Sequence, residues 1–404
     1  MHKINHVSPI RFVFVQTNNR VKASVIRQSH LKNEFKKIAM LMVLFFFIIN
    51  SPVEAQIAKK NPPIKSKYSI IGFAHGFADS TLLFLEYNRP GTPMDSCRII
   101  KGKFSIQTVA QASEAHYVIL RTRDFKDYKF FWIEKPMTYI SGLKGNFQNA
   151  VIHNSPAQEI FDEYLLQKMP LYTEIDSLRR NVGVDDPIVV QRINVLEKEM
   201  LERTKKIIAR HPNTTVSAYL LWESHRNWGK NASTTLYNLL QRGKNTAYAK
   251  EVKQFIDLNK DIQIGDDFTD IKQKDPEGKW VSLSNYKGKW ILLEFWASWC
   301  GPCRKDNPGL VKTYQTYKEK GFEIVAVSLD ANKEAWLEAI KKDQLPWIHI
   351  SDLQGSMNTA SLTYGVFGIP DNFLINPEGK IVDRNLRGGR LNKKLKEVFT
   401  LLQP

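Results

Sequence analysis

Trp299-Cys300-Gly301-Pro302-Cys303 puts two thiols three positions apart, close to one turn of an α-helix. Two thiols at that spacing can close a small ring as a disulfide and open it by passing the disulfide to a partner. Only a thiolate attacks a disulfide, and a free cysteine, with a pKa of about 8.5, is mostly protonated at neutral pH. The residues after Cys300 are predicted to begin a helix. Unpaired backbone N–H groups and the helix dipole at such an end favour negative charge and lower a thiol pKa. Cys300 is therefore the expected attacking sulfur. Cys303, one turn further in and expected to be more buried, is the resolving thiol. Pro302 suits a first helical turn, where its missing N–H costs nothing. Gly301 leaves room for a partner's backbone.

Two other uses of the pair fit less well. Structural zinc takes about four ligands. The only other cysteine is Cys97, and no histidine lies within 40 residues of the pair. A purely structural disulfide closing so small a ring removes little entropy from the unfolded chain.

The motif needs a scaffold that presents it. Ile291–Trp296 is a largely apolar run of strand length, and Arg304–Lys320 reads as a helix kinked at Pro308 and ended by Gly321. Strand, Cys-x-x-Cys, helix is the context that turns a short pattern into a redox expectation. Within the strand, Glu294 is a carboxyl in apolar company. Buried, it would have a raised pKa and could accept the proton that Cys303 must lose. Facing solvent, it would pair with a lysine such as Lys289.

Trp299–Cys303 resembles the active-site motif of the thioredoxin superfamily, and residues from about Ile264 to Leu402 resemble its TlpA/ResA-like envelope branch, a resemblance that also admits an AhpC/TSA-Redoxin-type domain. Leu293–Trp299 looks like the strand that delivers the motif. Gly368-Ile369-Pro370 followed by Asn372–Ile375 looks like the cis-proline turn and its next strand, and Asn376–Lys380 like the following hairpin turn. The resemblance implies a cis peptide at Pro370 facing the cysteines. It assigns catalysis to Cys300, Cys303, Glu294 and Pro370, a Cys300–Cys303 disulfide, and substrate contact to Trp299, Gly301, Pro302 and Ile369. Thioredoxins carry Asp where this chain has Glu294.

The resemblance further implies a reductase of protein disulfides, because the Gly-Pro pair is that of reducing thioredoxins. No cofactor or metal is called for. Expected partners are disulfide-bonded envelope proteins, with apocytochrome c one candidate, and a membrane electron donor of the DsbD/CcdA type. A peroxiredoxin is an alternative, but its Thr and Pro positions are here Ala297 and Leu293. A binding or scaffold protein with a secondary redox site is the other.

Lys36-Lys37 precede Ile38–Ile49, a dozen uncharged, mostly apolar residues, and Val53-Glu54-Ala55 supplies small residues for cleavage after Ala55. This reads as a secretory signal peptide behind a basic extension, directing the chain to the periplasm or cell envelope. Left uncleaved, it would serve as a membrane anchor. Cys97 is expected to be a small buried hydrophobe. The formal charge is +17, of which residues 1–55 carry six; no basic run is interleaved with aromatics as a nucleic-acid platform requires, so no nucleic acid is expected.

The chain is therefore expected to be multidomain. Residues 1–55 are the extension and signal, and 66–154 a small antiparallel β domain, built as a sandwich. It resembles a β-rich module of unknown function found before thioredoxin domains. Within it, Arg98–Ile100 and Phe104–Thr108 flank a Lys101-Gly102-Lys103 hairpin turn. Residues 155–262 are a helical middle segment that could arch over the redox domain, with helical stripes such as Ile160/Phe161/Tyr164 and Ile193/Leu196/Met200, then Val216–Trp222 and Leu236–Leu240. Residues 263–404 are a C-terminal α/β thioredoxin-like fold opened by a hairpin with arms Phe268–Lys272 and Trp280–Leu283.

Overall fold

The computed structural model describes residues 65–87, 94–111, 114–181 and 186–400. The expected signal peptide lies outside the described residues. No helix among them is long and apolar enough to cross a membrane.

The N-terminal part contains β1 (Lys65–His75), β2 (Leu82–Tyr87), β3 (Asp95–Arg98), β4 (Lys103–Gln111), β5 (His116–Thr122), β6 (Tyr128–Ile133), β7 (Met137–Leu143) and β8 (Val151–His153). They form two four-stranded sheets, β4-β1-β7-β8 and β3-β2-β5-β6, which enclose a core including Ile70, Leu85, Ile106, Leu120 and Phe131. The expected sandwich is present, with two corrections. First, β1 runs parallel to β7, so one sheet is mixed rather than antiparallel. Second, the Lys101-Gly102 turn is closed by two backbone hydrogen bonds between Ile100 and Lys103, with both central residues at positive φ, yet its arms join different sheets. Both sheets face one core, so alternation along each arm is the same whichever sheet it enters.

Four helices follow: α1 (Pro156–Asn181), α2 (Pro187–Arg210), α3 (Thr215–Leu239, broken at Gly229 with φ 72°) and α4 (Ala247–Leu258). Asp186 caps α2 by accepting from the Ile188 N–H, and Pro187 occupies its first turn. Thr246 caps α4 in the same way. The core of this layer takes Tyr117 and Trp132 from the β sandwich on one side and Met357 and Leu362 from the redox domain on the other. Tyr117, Trp132, Phe161 and Tyr219 form one aromatic cluster, Tyr117 stacked on Trp132 and the others edge-on. The helices therefore pack between the two other layers.

The C-terminal domain has a five-stranded sheet of order β13-β12-β11-β14-β15, made of β11 (Trp290–Trp296), β12 (Phe322–Ser328), β13 (Ile348–Ile350), β14 (Asp371–Ile375) and β15 (Ile381–Arg384). Around it lie α5 (Gly301–Tyr317), α6 (Lys333–Lys342), α7 (Thr359–Tyr364) and α8 (Gly388–Thr400). β12 is buried along its whole length, as a central strand covered on both faces must be. The opening hairpin is shorter than expected: β9 (Lys272–Lys274) pairs with β10 (Trp280–Ser282). The chain before β9 is occupied elsewhere, because Phe268 N–H donates to Gly379 O and Asp267 bridges Lys380.

Candidate active site

β11 ends at Trp296, and the chain turns through Ala297–Trp299 into α5, whose N-cap is Cys300. Cys300 and Cys303 form a disulfide with Cα atoms 5.3 Å apart. The Cys303 N–H donates to Cys300 Sγ at 3.2 Å, so one free N–H of the first turn of α5 points at the sulfur expected to carry charge. The expected difference in burial is absent: Cys300 is 3% exposed and Cys303 2%. With the sulfurs bonded and one at the helix cap, the same core covers both.

Around the pair the surface is open. Trp299, Gly301 and Pro302 are exposed, and a Cβ at Gly301 would meet nothing within 4 Å. The Ile369–Pro370 peptide is cis, and both residues are half-buried. Pro370 immediately precedes β14, whose Asp371 pairs with Phe295 of β11. The proline therefore lies at the sheet end from which the motif loop emerges.

Glu294 is buried in β11 and its Oε2 accepts from Asn372 Nδ2 at 2.9 Å. Burial pushes its carboxyl up to about 8; the Asn372 hydrogen bond and the Arg387 charge pull the other way, and Asp371 and Asp306 add to the rise. Asp306 is one turn beyond Cys303 on α5, so the carboxyl feels the helix that carries the dithiol. The solvent-facing alternative does not occur. Lys289 pairs with Glu323 at 3.3 Å instead.

Sequence reasoning passed over several residues that hold this geometry. Asp330, after β12, is buried and accepts from Ser298 N–H at 2.9 Å and Ser298 Oγ at 2.6 Å, two residues before Cys300. Arg304 Nη1 donates to Ser298 O while the same guanidinium pairs with Asp343. Arg384 binds Asp371 at 2.7 Å and Gly365 O at 3.3 Å, bracketing the cis-proline segment. Only Asn372 had a visible signal, as a polar residue within an apolar strand. Cys97 stands apart, packed against the β-sandwich core, with its thiol pushed up to about 11 by burial and by Asp95.

The AhpC/TSA family matches residues 264–384, and a domain of unknown function (DUF4369) matches residues 68–161. The thiol-disulfide oxidoreductase ResA of Bacillus thuringiensis subsp. konkukian is 34% identical over 143 residues, 35% of this chain and 80% of the relative. That of Bacillus subtilis is 31% identical over 170 residues, 42% of this chain and 84% of the relative. This chain belongs to the ResA-like thiol-disulfide oxidoreductases. Among solved structures, the thioredoxin domain of a thiol-disulfide oxidoreductase from Bacteroides vulgatus is 36% identical, covering 34% of this chain and 99% of that one, with a TM-score of 0.33. The oxidoreductase joins a thioredoxin-like domain to a β-rich region of unknown function through helices of which the family matches reach only the first turns of α1. As an enzyme of this family it acts on disulfide-containing proteins.

The AhpC/TSA match covers the position where the peroxiredoxin alternative expects a threonine. Ala297, three residues before Cys300, is buried and carries no hydroxyl.

Proposed function

We propose that this oxidoreductase is an exported reductase of protein disulfides in the cell envelope. The observation that carries the reading is the Cys300–Cys303 ring at the cap of α5, with Cys303 N–H directed at Cys300 Sγ. In the reduced enzyme the Cys300 thiolate attacks one sulfur of the target disulfide. A mixed disulfide forms and one target thiolate leaves. Cys303 gives up its proton to the Glu294 carboxylate and attacks Cys300 Sγ. The intramolecular disulfide closes, the second target thiolate leaves, and two electrons have passed to the target. A carboxyl with a pKa near 8 is close to a thiol's, so that proton moves between groups of similar basicity.

Pro370 lacks a backbone N–H that could compete for the sulfurs, and with Ile369 it offers an edge for an extended substrate. Trp299, Gly301 and Pro302 form the opposite rim. The apolar run at Ile38–Ile49 supports export, with cleavage after Ala55. In an oxidising compartment the oxidised enzyme needs a dithiol donor at the membrane, of the DsbD/CcdA type, and apocytochrome c is one candidate target. The domain limits that go with this reading are a β domain over 66–154, helices over 155–262 and a redox domain over 263–404.

The test is trapping. Cys303→Ser should accumulate mixed disulfides on Cys300 with envelope proteins, and the wild-type protein should reduce insulin with dithiothreitol. Absence of both overturns the reading.

A further inference from the structure

The helical layer meets the redox domain along the chain leading to the cis-proline. Lys260 N–H donates to Thr363 O at 3.1 Å, and Asn259 Nδ2 donates to Leu362 O at 3.1 Å. Arg226 Nη2 donates to Ser356 O at 2.6 Å. Met357 and Leu362 are buried in the helical core, and the Phe255 ring of α4 meets Phe367 edge-on at 5.9 Å. Gly365 is at φ +62°, and a Cβ there would stand 2.9 Å from Asn259 Nδ2. From the opposite side, Arg384 holds Gly365 O and Asp371.

The segment between these holds is short. Phe367 is 43% exposed and lies three residues before Pro370, which leads into β14 beside the strand that delivers the dithiol. Its ring packs on Phe255, and its Cζ would lie 3.6 Å from a Cβ at Gly365, while the residue keeps part of its surface in solvent.

We infer that the helical layer, through Phe255 and Asn259, sets the position of residues 362–367 and so presents Phe367 as an apolar contact for the polypeptide flanking a target disulfide. This rests on the reductase reading above. It gives the middle helices a role in the reaction: they position a specificity residue without touching the sulfurs. The substrate class is a polypeptide with an apolar side chain close to its cysteine. A small disulfide lacks the flanking polypeptide that would meet Phe367.

The full chain carries the test, with Phe255→Leu, Phe367→Leu and the double variant. Loss of an aromatic pair corresponds to about threefold to tenfold. KM for insulin should rise by that factor in each single variant, with kcat/KM for oxidised glutathione and the potential of the dithiol unchanged. The double variant should be no worse than Phe367→Leu alone. Amide hydrogen exchange gives a readout independent of activity: Phe255→Leu should speed exchange at 363–369 by about the same factor and leave 300–304 as they were. Unchanged exchange at 363–369, additive losses in the double variant, or equal losses on insulin and glutathione would overturn the inference. A wild-type protein that reduces neither substrate counts against the reductase reading; the exchange result still decides the positioning.

Discussion

Asn372 Nδ2 donates to Glu294 Oε2 across 2.9 Å, joining two residues that face each other in the β11–β14 register. The same Asn372 also binds the Leu386 backbone, donating to its O and accepting from its N–H. One amide therefore orients the only carboxyl in the strand that delivers the dithiol. It opposes, without cancelling, the effect of burial on that carboxyl.

Glu294→Gln should slow resolution of a mixed disulfide on the order of 10²-fold, the low end of a general-base contribution. In the wild type the step should accelerate as pH rises through about 8, where Glu294 ionises; the Gln variant should lose that inflection. Stopped-flow release of a trapped target across pH checks both.

The same carboxyl sets a sign for stability. Its folded pKa is raised from 4.5 to about 8, so the native state holds a proton that the unfolded chain releases. The stability it contributes is full below about 4.5 and is lost as pH rises through about 8. Denaturant unfolding should show the decline in the wild type and a flatter profile in Glu294→Gln.

Asn372→Leu removes the donor that holds the Glu294 pKa down and leaves Leu386 O and N–H without their partner. The carboxyl should titrate above the wild-type value of about 8, read by carbon-13 NMR of labelled glutamate. Each buried group left unsatisfied should cost about 1–3 kcal/mol in urea unfolding.

Asp330→Ala frees the loop before Cys300 by removing both hydrogen bonds to Ser298. Misplacement of a reacting group by about 1 Å costs up to about 10²-fold. Insulin reduction should fall within that range while the Cys300–Cys303 disulfide still forms, as thiol counting would show.

Cys97 should resist iodoacetamide at pH 7, because its thiol ionises only at about 11, whereas reduced Cys300 should be labelled quickly. Peptide mass mapping over time separates the two. Cys97→Ala should leave insulin reduction unchanged.

Sequence alone determined the chemistry, because that chemistry is local. A three-residue spacing fits one helical turn, a strand must precede the motif, and a glycine-isoleucine-proline turn precedes a recognisable strand. Each of these is written in a dozen consecutive residues. Hydrophobic periodicity likewise marked the layers, although it misjudged the Lys101-Gly102 turn and the reach of the β9–β10 hairpin, where the partner strand decides. Only the tertiary structure decided what Glu294 faces, what restrains Ser298, and what supports the approach to Pro370. Those contacts join residues tens to a hundred positions apart, such as Glu294 with Asn372 and Asn259 with Leu362. Such pairs leave no periodic trace in the chain; only packing brings them within hydrogen-bonding distance.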